Sequence, residues 1–223
     1  MERLLSNIKI SVPEKIYVKD PESSELGKRM VKHSIILIDE IGFEGFTFKK
    51  LGDRIDSNES SIYRYFESKH MLLLYITSWY WSWIEYQLVI ETHNLTSAEK
   101  LRNAIRIVTR SVKEDTSFSH IDEVILHRII VNENSKSFLT KEVDNENQEG
   151  YFVVYKRIIH RLRDMILEVN PEYPYPSSLA STIIEASLHQ HFLKDHFVSI
   201  TDCGNTVTPT DFLMNLVLNT ITS

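Results

Sequence analysis

The sequence predicts an all-α fold, a small N-terminal three-helix unit followed by a larger helical body. Three observations carry that expectation. Only six glycines and six prolines punctuate the 223 residues, long segments repeat apolar residues at three-to-four spacing, and no strand pairs or internal repeats interrupt that period. A chain of this length buries a sizeable core without staples. Apolar residues at 42% and charged residues at 25% lie near the globular average, which argues against disorder, a fibre or a membrane protein.

The elements follow in order. The first stretch, with Ile8, Ile10 and Val12 before Pro13 and Pro21, reads as an extended arm over residues 1–23 that either lies on the domain or stays mobile. A first helix runs from Ser24 or Glu25 to Glu40; Met30, Ile35, Leu37, Ile38 and Ile41 form its buried stripe, Gly42 stops it, and Phe43 and Phe46 pack the corner. Thr47 caps a short second helix from Phe48 to Ile55, because its hydroxyl can accept an orphan N–H. Asn58 caps a third helix carrying Ile62, Tyr63 and Phe66, and Ser68 caps a long fourth one from Lys69 to Glu91 or Thr92.

Further helices are expected at residues 97–115, 119–133, 147–169, 177–198 and 208–220. The polar run Lys141 to Gly150 and the three-proline segment Asn170 to Pro176 read as loops. The domain division then falls inside or just before the fourth helix, giving a domain at residues 24–70 and another at 71–223.

Charge and cysteine content narrow the setting. Cys203 is the single cysteine, so it closes no internal disulfide and has no thiol partners for zinc. Polar residues interrupt the N-terminus before any signal core forms, and no later stretch is apolar enough to span a bilayer. A cytoplasmic setting with no membrane partner is the expectation. The net charge of −6 counts against a partner as negative as DNA. From Leu26 to His70, however, eight basic residues meet seven acidic ones, so the acidity lies mostly elsewhere.

The stretch Phe46 to Lys69 carries most of the functional information. Gly52 lets the second helix approach the third closely, while Leu51, Ile55, Ile62 and Phe66 lock the pair onto the first helix. Glu59, Ser60, Ser61, Arg64 and Tyr65 are then left to face outward, which suits a recognition helix presented to a major groove. By spacing alone, core aromatics of a helical bundle are the stronger reading of Tyr63 and Phe66. The joint pattern of threonine cap, close-packing glycine, aromatic tetrad Tyr63-Arg64-Tyr65-Phe66 and downstream Lys69 reverses that preference.

This block resembles the N-terminal domain of the TetR/AcrR family of transcriptional regulators. The likeness includes Glu40-Ile41-Gly42-Phe43 at the end of the first helix and covers residues 28–74. It implies a helix-turn-helix DNA-binding domain joined to a C-terminal helical ligand-binding and dimerisation domain. It further implies a homodimer, a double-stranded DNA operator, an unknown small-molecule effector and, as the family's commoner mode, repression. Thr47, Tyr63 and Lys69 are implied phosphate contacts, and Glu59, Ser60, Ser61 and Arg64 the candidates for base readout. Two residues depart from the family pattern. Asp56 stands where a left-handed glycine is usual, at a cost of about 1 kcal/mol, and Ser57 replaces an apolar residue. Glu59 near phosphates is repelled unless it accepts from a cytosine amino group, so it penalises wrong sites.

In the larger domain the fourth helix is apolar almost all round, with Tyr75, Trp79, Trp83, Tyr86 and Ile90 on one side and Trp81, Ile84 and Leu88 on another. Core at the domain junction is the favoured reading; the sharper one makes Trp79, Trp83 and Tyr86 a ligand-pocket wall. His120 and His127 lie seven apart, and Glu123–His127 is an acid–histidine pair at helical spacing. His191, however, cannot share a face with both His189 and His196, and no cysteine joins them, so packing or interface roles are favoured over a structural metal. Apolar residues from Tyr151 to Ile166 and from Leu179 to Phe192 offer a broad surface for association. No phosphate loop, nucleophile elbow, HExxH or paired carboxylate supports an enzyme, and no motif requires a cofactor. The competing function is a TetR-like helical protein that acts through ligand or protein contacts without binding DNA.

Overall fold

The structure is a computed structural model that describes residues 10–113, 118 and 120–222. Its elements are helical, with no strand among the described residues. The helices are α1 (Glu25–Gly45), α2 (Phe48–Arg54), α3 (Glu59–Tyr63), α4 (Lys69–Glu91), α5 (Ser97–Thr109), α6 (Glu123–Glu133), α7 (Val143–Glu149), α8 (Val153–Val169), α9 (Pro176–His196) and α10 (Pro209–Thr222). They form two compact units. One is drawn from Met1–Ser82 and Val112–Val153, the other from Trp83–Ser111 and Val154–Ser223.

In the first unit the described part of the arm, from Ile10, takes the first of the two expected courses and lies on the protein, while Ile8 lies outside the described residues. Ile10, Val12 and Ile16 are buried, and Ser82 donates its hydroxyl proton to the Ser11 carbonyl at 2.7 Å. The core is Met30, Val31, Ile35 and Ile38 of α1 together with Phe46, Leu51, Ile55, Ile62 and Phe66. Gly42 kinks α1 rather than ending it: its φ is 70°, and one more turn continues to Gly45. The N–H of Phe43 beyond that kink donates to the Glu133 carboxylate of α6 at 3.1 Å. Arg128 of α6 makes a two-point ion pair with Asp39, at 3.0 and 2.7 Å.

The second unit contains α5, α8, α9, α10 and the end of α4. Leu101, Ala104, Ile105, Ile158, Leu162, Ile166, Ala180, Ile184, Leu213 and Val217 are its buried stripes. Glu85 accepts from Arg157 at 2.6 Å and Arg161 at 2.9 Å, and His191 bonds the Thr109 carbonyl at 2.9 Å.

Several boundaries differ from expectation, each for a local reason. α5 ends at Thr109 because Arg110 turns extended, with φ of −72° and ψ of 151°. α6 starts at Glu123 because Asp122 accepts the Ile125 N–H; the expected start, Ser119, lies outside the described residues. The polar run 141–150 contains α7, and Gly150, with φ of 88°, separates α7 from α8 where one helix from 147 is expected.

Candidate nucleic-acid interface

Two short helices and the turn between them form the site. Thr47 Oγ1 accepts from Lys50 N at 3.2 Å and so fixes the start of α2. Asn58 Oδ1 does the same for α3, accepting from Ser61 N at 2.8 Å and from the Ser61 hydroxyl at 2.8 Å. Between them Asp56 has a φ of 52°, the left-handed conformation its place in the turn requires. Gly52 O accepts from Ser57 N at 2.9 Å. A side chain at Gly52 would place Cβ 2.7 Å from the Ser57 carbonyl oxygen. The missing side chain is therefore what lets the turn close.

Burial then sorts the motif. Leu51, Ile55, Ile62 and Phe66 lie at 3% exposure or less, which anchors the inner face of the pair. Thr47, Glu59, Ser60, Tyr63 and Arg64 are exposed, and Ser61 is half-buried. Tyr63 stacks edge-on against Phe48 with ring centroids 5.0 Å apart, and its hydroxyl reaches Glu59 at 3.4 Å. That contact keeps the Glu59 carboxylate beside a donor on its own helix face.

Two expected contacts stand differently. Tyr65, expected to face outward, is only 4% exposed, because its hydroxyl pairs with Ser24 Oγ at 2.7 Å. It supports the interface from behind and presents no ring to a ligand. The Ser24 bond lowers the proton affinity of that hydroxyl, with burial opposing and the Lys19 and Arg64 charges assisting. Lys69 directs its ammonium at the corner after α1, donating to the carbonyls of Phe43 at 3.1 Å and Glu44 at 3.4 Å and lying 4.7 Å from the Phe43 ring centroid. Arg54 is paired with Glu40 at 2.7 and 2.8 Å, and Lys50 donates to the Gly45 carbonyl at 2.8 Å. Part of the basic charge of this region thus holds the fold.

The expected ligand-wall residues are less accessible. Trp79 and Trp83 are 2% and 3% exposed; Tyr86 is half-buried. Trp79 packs edge-on against Phe118 at 5.2 Å. In the second unit, a cleft of about 410 Å³ is lined by Gln190, Ile200, Thr201, Cys203, Val207 and Phe212 among others. Neither Trp83 nor Tyr86 lines it. Among the described residues, no group of three or more His, Cys, Asp or Glu is placed to hold a metal ion, and no helix is long and apolar enough to cross a membrane.

A capped two-helix unit with a fixed turn, an anchored inner face and a polar outer face on α3 defines a helix-turn-helix DNA-binding domain. Residues 32–76 match the profile of bacterial regulatory proteins of the tetR family, so this N-terminal part of the chain is similar to the DNA-binding domain of that family. No curated protein matches the chain in sequence. Among solved structures, it is similar in fold to AibR in complex with isovaleryl coenzyme A and operator DNA, at 16% identity and a TM-score of 0.56 over 85% of this chain and 96% of that one. It is also similar to the superantigen PfiT, at 16% identity and a TM-score of 0.60 over 90% of this chain and 97% of that one. These likenesses show the fold.

Proposed function

We propose that this protein is a ligand-responsive, homodimeric transcriptional repressor of the cytoplasm and not an enzyme. Residues 24–70 bind an operator in double-stranded DNA, and residues 71–223 bind a small-molecule effector and dimerise. Glu59, Ser60, Ser61 and Arg64 read base edges, while Thr47, Tyr63 and Lys69 contact phosphates. The observation that carries the reading is the exposed face of α3, mounted on the rigid α2–turn–α3 unit of a tetR-type domain. Two-fold symmetry brings two such helices to half-sites about one DNA turn apart.

AibR, similar in fold, was solved with both isovaleryl coenzyme A and operator DNA, which supports a small-molecule effector here; to regulate, such an effector must bind one dimer geometry better than another. Trp79, Trp83 and Tyr86 are the proposed wall of that effector site. The likeness to a superantigen shows that such a fold also occurs under a different description, so the tetR-type domain, not the body, supports DNA binding.

Selection of bound sequences from a random duplex pool, followed by mobility shift with wild type and Arg64→Ala, tests the proposal. A palindromic site is expected, with Arg64→Ala losing discrimination between sites and Tyr63→Phe lowering affinity for all of them. No enrichment at low salt would refute repression by DNA binding and favour action through ligand or protein contacts.

A further inference from the structure

The arm ahead of α1 is fixed on either side of one exposed lysine. Before it, the Tyr17 ring packs edge-on against Tyr75 at 6.0 Å, and Val18 N donates to the Tyr65 carbonyl at 2.9 Å. After it, Asp20 caps a single 3₁₀ turn, Pro21–Ser23, in which Pro21 is buried. Gly27 fits beneath that turn only because it has no side chain, since a Cβ there would lie 2.2 Å from the Pro21 carbonyl oxygen. Lys19 lies between these anchors, exposed, with its ammonium 4.9 Å from the Tyr65 ring centroid.

Tyr65 follows Arg64 directly at the end of α3, and its hydroxyl bonds Ser24, the N-cap of α1. The arm, the start of α1 and the end of the recognition helix therefore meet at one aromatic ring. The Lys19 and Arg64 charges both act on the Tyr65 hydroxyl, so two cations share this edge. The nearby acids have partners of their own: Glu22 pairs with His120 at 2.7 Å, Glu25 with Lys28 at 3.3 Å, and Asp20 accepts from Glu22 N.

We propose that the arm is part of the DNA-binding surface, with Lys19 contacting the sugar-phosphate backbone beside the end of α3 and Tyr65 as the residue that positions it. The proposal rests on the DNA-binding reading of α3. An exposed ammonium on a pinned backbone loses little chain entropy on meeting a phosphate, and its attraction is independent of sequence. The site takes a backbone phosphate and not a base, because a lysine is a point charge without the forked geometry that base edges reward.

The test compares wild type, Lys19→Gln and Lys19→Arg on a random-sequence duplex across a salt series. Neutralising one phosphate contact lowers the slope of log affinity against log salt by about 0.9 for each chain bound. Lys19→Gln should show that loss with unchanged preference among selected sites and an unchanged melting temperature, and Lys19→Arg should restore the slope. Ethylation interference should lose one phosphate per half-site in Lys19→Gln. Tyr65→Phe, which keeps the ring but drops the Ser24 bond, should weaken binding when Lys19 is present and not in the Lys19→Gln background; additive losses would remove Tyr65 from the positioning role. A steep wild-type slope that Lys19→Gln leaves intact overturns the arm contact alone. No salt-sensitive binding by wild type overturns it together with the DNA-binding reading.

Discussion

Asp56 and Gly52 set the angle between α2 and α3, and both act through the backbone. Asp56 at φ of 52° bears a left-handed penalty of roughly 1–2 kcal/mol for an L-residue, eased for aspartate by its short polar side chain. Asp56→Gly removes that penalty but adds about 0.5–1 kcal/mol of unfolded-chain entropy. The expected net is a stabilisation of up to about 1 kcal/mol in urea unfolding, and a loss of stability would contradict strain at this turn. Gly52→Ala goes the other way. Its Cβ meets a backbone oxygen at 2.7 Å that cannot swing aside, so about 1–3 kcal/mol is lost. Both roles are legible in the sequence because the interacting residues lie within five positions of each other. Tyr65 was not legible, since its partner Ser24 is 41 residues away, and helical period alone places it on the outer face. Lys19 carried no signal either, because its position depends on contacts from Tyr17 to Tyr75 and from Val18 to Tyr65.

The starts of α1, α2 and α3 were legible because Ser24, Thr47 and Asn58 each accept the orphan N–H a few residues on, whereas the start of α6, capped by Asp122, came later than the expected Ser119. Ends depend on what the last turn meets. Gly42, which reads as a stop, is instead a kink whose following N–H is taken by Glu133 of α6, a contact 90 residues away. The Lys69 ammonium then holds the Phe43 and Glu44 carbonyls at the same corner, giving a residue implied as a phosphate contact a role in the fold as well. The caps themselves are testable. Thr47→Ala removes the acceptor for Lys50 N and should cost about 1 kcal/mol, whereas Thr47→Ser keeps the oxygen and should restore most of it. If the serine variant is as unstable as the alanine one, the threonine methyl and not the cap holds α2 in place.

At the scale of the whole molecule, the net charge of −6 is compatible with a DNA partner because the region from Leu26 to His70 is nearly neutral, and part of its basic charge is paired internally, as in Arg54–Glu40. The sequence revealed that local balance but not the pairing, which joins positions 14 residues apart across a turn. Stability against acid is likewise governed by burial and pairing the sequence does not show, at His191, which it marks only as a packing or interface histidine, and at Glu85. Burial holds the His191 imidazole below its ordinary 6.5, with the Thr109 carbonyl opposing. Burial would raise Glu85, but the hydrogen bonds from Arg157 and Arg161 outweigh it and bring the carboxyl below its ordinary 4.5. The signs follow from where each proton goes. As pH falls below 6.5, unfolded chains protonate at His191 while folded ones resist, so stability declines from there downward. Glu85 contributes stability that is intact above 4.5 and is lost as pH falls through its lower folded value. A biphasic loss is therefore expected, the upper limb from histidine and the lower from carboxylate. His191→Gln keeps a donor for the Thr109 carbonyl and removes the titration. Urea unfolding between neutral pH and about pH 5 should then lose up to one proton's worth of slope, about 1.4 kcal/mol per pH unit at most. The remainder is expected to come from His33, held low by burial and by the Arg54, Lys32 and Arg29 charges. An unchanged slope in His191→Gln would show that the buried imidazole does not govern the upper limb.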